Sequence, residues 1–186
     1  MGSRLRGNDD SVAGMIVTET GRLILRHIVP GDAAPVHALL TDADFLAQIG
    51  DRGVKTLADA ETAIAERYVP AYAADGFGMF AVVERASGDW LGMAGLVNRD
   101  GLPHVDVGYA FLPAARGRGY AVEAVRAVLD WAAARGIAPV VAIVSPGNAR
   151  SIAVLTAVGM VPDRRLRLSK ADHDVILYIP TDTAPR

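Results

Sequence analysis

A strand that hands over to a helix through a turn holding two arginines and two glycines constrains this chain more than any other feature. Residues 109–120 read YAFLPAARGRGY, and the next ten, AVEAVRAVLD, are helical in pattern. The first turn of a helix leaves N–H groups without intrahelical partners and carries the positive end of the helix dipole. Gly117 and Gly119 remove two Cβ atoms and open backbone conformations closed to other residues. Arg116 and Arg118 add charge beside those amides, Tyr120 begins the helix, and Ala121 keeps its first turn narrow. Together these describe a cradle for a diphosphate. The stretch lacks the Gly-Lys-Ser/Thr ending of a Walker loop and the GxGxxG spacing of a dinucleotide fingerprint. A plain turn with solvated arginines would read the same locally, so the surrounding chain has to decide.

That chain has 186 residues, enough for one domain, and 51% of them are hydrophobic, enough for a sizeable core. A disordered tail, or an overlong start preceding Met15, is expected over 1–14, one domain over 15–181 and a short C-terminal tail over 182–186. "RLILRHIV" (Arg22 to Val29) is a strand. Asp32 caps a helix to about Leu40, and "DADFLAQIGDRGVKT" reads as a loop. Thr56 and Asp59 form a capping box that opens a helix from Leu57 to about Ala74. Strands are expected over "FGMFAVVER", "WLGMAGLVNR" and "HVDVGYAFLP", with Gly108 marking a bulge or a close backbone approach. A helix to about Arg135 should bury Val122, Val125, Leu129 and Ala132, with Ala121, Ala124, Val128 and Trp131 widening that face. "GIAPVVAIVSP" is a buried strand, "NARSIAVLTAVGM" a short helix, and the last segment a hairpin turning near Lys170 to His173. This alternation predicts an α/β domain with a mixed sheet between helices.

Composition narrows the function. There is no cysteine, which excludes a disulfide framework and a thiolate nucleophile and fits a reducing cytoplasm. The four histidines lack metal-ligand spacing, so no metal is expected. A formal charge of −2 offers nothing to nucleic acid or an anionic membrane, and no apolar run spans a bilayer.

In motif order and spacing the chain resembles the GCN5-related N-acetyltransferases, in particular the branch of ribosomal-protein N-terminal acetyltransferases. Their signature, Arg or Gln, two residues, Gly, one residue, Gly or Ala, is matched by Arg116, Gly119 and Ala121. "VDVGYAFLP" resembles their splayed strand. Asn148 and Ser151, closed by Gly159-Met160, resemble their next signature. The resemblance runs from about Arg22 to Pro180. It implies a mixed, mostly antiparallel sheet with a splayed strand pair, and acetyl-coenzyme A as cosubstrate. The N–H groups of Arg116 to Ala121 would hold its diphosphate. Phe111, Leu112 and their strand would pair with its pantetheine arm, and Asn148 would bond that arm. The partner implied is an amine, a protein N-terminus or a small molecule, and the chain is expected as a monomer or homodimer.

Direct acetyl transfer needs a base, an oxyanion site and a stabilised thiolate. Asp106 is the candidate base, with His104 a lesser one, and Ser151 the candidate donor to the thiolate. Relatives often carry a tyrosine in the helix after the serine, and "LTAVGM" has none. Tyr109 is read as packing or as an acceptor-pocket wall. Phe45 and Asp51 sit in the loop where relatives build that pocket. Arg164, Arg165 and Arg167 are read as a solvated face. The alternative to an enzyme is a noncatalytic acyl-coenzyme A-binding module that has kept the cleft and lost the chemistry.

Overall fold

The computed structural model describes residues 14–168 and 174–183. The tail expected over 1–14 lies outside these residues except for Gly14. The turn at Lys170 to His173 also lies outside them.

Eight strands form one open sheet: β1 (Ile16–Glu19), β2 (Leu23–His27), β3 (Met79–Glu84), β4 (Trp90–Val97), β5 (Val105–Phe111), β6 (Val140–Val144), β7 (Met160–Leu166) and β8 (Val175–Pro180). Their spatial order is β1-β2-β3-β4-β5-β6-β8-β7. Every neighbouring pair is antiparallel except β5 and β6, which run parallel. That parallel pair is joined only at Val105–Val140 and Asp106–Val141. Beyond Asp106 the two strands part, so the expected splay is present.

The expected bulge at Gly108 is not. β5 pairs with β4 in unbroken register from Asp106–Val97 to Phe111–Gly92, with Gly108 facing Gly95. A Cβ at Gly108 would lie 3.4 Å from the Met79 sulfur, an ordinary van der Waals distance.

One face of the sheet carries α1 (Ala33–Leu40), α2 (Ala43–Gln48), α3 (Leu57–Ala63) and α4 (Val69–Asp75), the last two joined by a π-helical turn over Ile64–Tyr68. The Thr56–Asp59 capping box opens α3: Asp59 N–H donates to Thr56 Oγ1 and Thr56 N–H to the Asp59 carboxylate. Asp32 does not cap α1 with its side chain. Its carboxylate takes the Val29 N–H and a two-pronged bond from Arg26, 2.7 and 2.8 Å long. The segment read as a loop after Thr41 contains α2, whose N-terminus is capped by Asp42. The strand β1, not anticipated, pairs with β2.

α5 (Tyr120–Ala133) and α6 (Ala149–Ala157) cover the other face. Of the apolar face expected in α5, Ala124, Val125, Val128, Trp131 and Ala132 are buried, whereas Ala121, Val122 and Leu129 sit at its margins. The core beneath α5 is continuous across the fork, joining Val107 and Phe111 of β5 to Val140, Ala142 and Val144 of β6. A second cluster packs α1–α3 on the opposite face.

Candidate functional site

The fork between β5 and β6 is where the candidate residues meet. Leu112 N–H donates to Leu91, 2.9 Å away, so the antiparallel ladder directs the polar groups of even-numbered β5 residues toward β4. Past the fork, the main chain of Tyr109 and Phe111 therefore faces the opening. Leu112, expected on the pairing edge, has its N–H committed on the other side.

The turn at the end of β5 has the form its residues demand. Gly117 and Gly119 have φ of 74° and 78°, the left-handed region that side-chain-bearing residues avoid. Gly119 is the residue before α5, and no side chain caps that helix. Among the described residues, N–H bonds in the turn are made by Ala115 and Arg116 to Leu112 and Pro113, and by Glu123 to Gly119. The N–H groups of Gly117 through Val122 have no such acceptor. Unpaired amides at a helix start, with no Cβ at two positions, fit a diphosphate well.

The two arginines divide. Arg118 is 54% exposed, with one carboxylate, Glu84, at 3.6 Å. Arg116 is engaged through all three guanidinium nitrogens: Nε donates to Phe111 O at 2.9 Å, Nη1 to Asp44 at 2.7 Å, and Nη2 to both Asp42 oxygens at 2.9 and 3.0 Å. Tyr120 is buried, its hydroxyl bonded to Glu84 and its ring under Arg22 and Arg118, so it packs the turn. Ala121 lies half-buried behind it.

Across the fork, Asn148 caps α6, its Oδ1 accepting from Ser151 N–H at 3.1 Å. Among the described residues its side-chain N–H groups make no hydrogen bond. Tyr109 and Ser151, 42 positions apart, are brought together: the hydroxyls lie 2.7 Å apart and Tyr109 also donates to Ser151 O at 3.1 Å. Burial pushes the Tyr109 phenol up to about 12, so it stays protonated.

Asp106 stands at the fork itself and is 1% exposed. Arg99 donates to its Oδ2 from Nε at 3.0 Å and Nη2 at 2.8 Å, while Oδ1 has no hydrogen-bond partner among the described residues. Burial raises its carboxyl from an ordinary 3.8 to about 6, against the pull of Arg99. The Ile143 N–H also pulls it down without reaching hydrogen-bond geometry on Oδ1. Side chains alternate along a strand. Val107, Tyr109 and Phe111 point into the α5 core, so Asp106 points to the face of α1–α4. A carboxylate on one face and a hydroxyl pair on the other thus flank the same opening.

Other candidates fall elsewhere. Phe45 on α2 is 6% exposed and belongs to the core; the apolar side chains α2 presents outward are Leu46 and Ile49. Asp51 accepts the Gly53 N–H and shapes a turn. His104 is exposed, beside Arg99 and Pro139 in a hollow of about 400 Å³ at the far end of β5. Arg164 and Arg165 are exposed, as the solvated reading expects. Among the described residues, no three His, Asp or Glu side chains could hold a metal ion, and no helix is long and apolar enough to cross a membrane.

Arg99 was missed by sequence reasoning, yet it was findable. Val97 pairs with Asp106, so a residue two past Val97 lies beside that carboxylate once the hairpin closes. Asp42, Asp44 and Arg150 gave no such signal.

Comparison with known proteins agrees with this fold. The acetyltransferase (GNAT) domain family matches residues 22–161. An uncharacterised protein, YkkB of Bacillus subtilis, is 32% identical over 95 residues, 50% of this chain and 55% of its own length. The chain thus spans about half of that relative. An acetyltransferase from Agrobacterium tumefaciens superposes with a TM-score of 0.73 at 25% identity, over 87% of this chain and 92% of that one. RimL, a ribosomal alpha-N-protein acetyltransferase solved with coenzyme A, gives 0.75 at 16% identity, over 89% and 98%.

Proposed function

The chain belongs to the acetyltransferase (GNAT) domain family, and from that premise we propose that it moves an acetyl group from acetyl-coenzyme A to a primary amine of low basicity, such as a protein or peptide α-amine. The observation that carries this reading is Asp106: buried at the fork, with one oxygen free and its carboxyl raised to about 6.

Acetyl-coenzyme A would supply the activated acetyl thioester. Its diphosphate suits the open amides from Gly117 to Val122, and its amide-bearing arm suits the main chain of Tyr109, the Phe111 N–H and the Asn148 side chain, the Phe111 carbonyl being held by Arg116. Tyr109 N–H, the first donor past the fork, can hold charge developing on the carbonyl oxygen; one such donor is worth about 3 kcal/mol. On the α1–α4 face, Asp106 accepts the amine proton at Oδ1 while Arg99 holds Oδ2 in place. On the α5–α6 face, Ser151 Oγ–H, backed by the Tyr109 hydroxyl, donates to the departing sulfur. The hydroxyl pair takes the place of the tyrosine that the short helix lacks.

Basicity favours an α-amine. A base near 6 takes a proton from an α-amino group of pKa about 8 at a cost of about 3 kcal/mol, and from lysine at about 10.4 at a cost of about 6 kcal/mol. RimL, named for alpha-N-protein acetylation, makes ribosomal-protein N-terminal peptides the first acceptors to try.

The test is thiol release from acetyl-coenzyme A against a panel of peptides with free N-termini, lysine side chains blocked or free, and polyamines. Amine-dependent release that prefers α-amines supports the reading. Tight coenzyme A binding without release for any amine overturns it in favour of a noncatalytic binding module.

A further inference from the structure

We propose that Arg116 is a positioning residue and not a phosphate ligand, and that Asp42 and Asp44 of α2 set the cofactor turn through it. The inference rests on the reading above. The motif's arginine would ordinarily be assigned to the diphosphate by its charge. Its geometry says otherwise.

A guanidinium has five N–H groups in a fixed fork. Arg116 makes four contacts through all three nitrogens, to Phe111 O, Asp44 Oδ2 and both oxygens of Asp42. Two carboxylates surround one cation, so it offers no net attraction to a phosphate. The Asp42 side chain is 8% exposed, which makes that pair the better protected of the two. Arg116 also holds the carbonyl of Phe111, the last residue of β5. One side chain thus fixes where the strand ends and where the turn begins.

α2 reaches the other lip as well. Arg150, in the first turn of α6, meets the same Asp44 oxygen at 2.9 Å, and Ser145 Oγ donates to Gln48 O at 3.5 Å. The Arg150 contact is solvent-exposed and worth little. Arg116 supplies the rigid half of the crosspiece, and the cation left for phosphate is Arg118.

The two roles predict opposite signs. If Arg116 were a phosphate ligand restrained by acids, Asp42→Asn would free it and tighten coenzyme A binding. As a positioning residue, it makes Asp42→Asn weaken binding about tenfold, the scale of one weakened hydrogen bond to a charged group. Arg116→Gln should weaken it similarly, and the double variant should be no worse than either alone. Arg116→Lys should not rescue, because an ammonium cannot bridge three acceptors. Coenzyme A affinity is measured by calorimetry at several salt concentrations, with thermal melts to confirm folding. The salt dependence should persist in Arg116→Gln and fall in Arg118→Gln. Should Asp42→Asn not fold, Asp44→Asn is read the same way. Unchanged or tighter binding in the acidic-residue variant, or a lost salt dependence in Arg116→Gln, overturns the proposal while leaving the function intact. Absence of coenzyme A binding by the unaltered protein overturns the function and this proposal with it.

Discussion

Asp106→Asn should separate stability from activity, and its size can be worked from the site. The carboxyl is raised from 3.8 to about 6 by burial. That interval corresponds to about 3 kcal/mol by which the fold favours the neutral acid over the carboxylate. The sign follows from proton uptake. Between about pH 4 and 6 the folded chain holds a proton the unfolded chain has lost, so stability from this group is full below about 4 and gone above about 6. Asparagine carries no charge at any pH. It keeps an oxygen for Arg99 but places an unpaired N–H₂ where Oδ1 stood, at about 1–3 kcal/mol. At pH 8 the variant should therefore match or exceed the parent in stability, by up to about 2 kcal/mol. That advantage should reverse by pH 4, where the parent recovers its share. Activity should fall about 10²- to 10⁴-fold, and the rise in parental kcat/KM with an inflection near 6 should vanish. Thermal melts at pH 4, 6 and 8, with a kcat/KM profile on the best acceptor, make the test. A variant destabilised at pH 8 with activity lost in proportion to the unfolded fraction would refute the argument, because Asp106 would then be only a structural partner of Arg99.

Other expectations follow from the same geometry. Ser151→Ala should lower kcat more than it raises the KM for acetyl-coenzyme A, and Tyr109→Phe should lower it less; equal effects on KM alone would argue for binding roles. Gly119→Val should cost about 1–2 kcal/mol for a left-handed backbone and abolish coenzyme A binding in calorimetry, whereas affinity within twofold of the parent would exclude the turn as the diphosphate site. Thr56→Ala should destabilise by about 1 kcal/mol through the lost cap of α3, read by urea titration, with activity per folded molecule retained.

Local signals and long-range ones differed in how far they could be read from the sequence. The glycine–arginine turn, the α3 capping box and the β5–α5–β6 succession are written within a few residues of each other, and the structure bears them out. α2 was missed because six residues between two turns carry too little periodicity; the clue was Asp42, a cap two positions before Asp44. β1 was missed because a four-residue edge strand, IVTE, is too short to show a pattern of its own. The Gly108 bulge failed because β5 keeps unbroken register with β4 through that position, a pairing that a glycine in a strand pattern does not announce. The same limit hid the site's partners. Ser151 and Tyr109 were both identified, but their contact joins two elements 42 residues apart. Arg116 looked like a ligand because its acids lie more than 70 positions upstream.

The continuous core under α5 bears on how a sheet can be broken in its middle and still act as one body. Hydrogen bonds demand a partner at fixed distance and angle, so wherever β5 and β6 bond each other they have nothing to spare for a guest. Apolar packing makes no such demand. Val107 and Phe111 can cohere with Val140, Ala142 and Val144 through α5 while the backbones above them stay unspent. The protein binds its halves with the interaction that lacks direction, and keeps the directional one in reserve for what it handles.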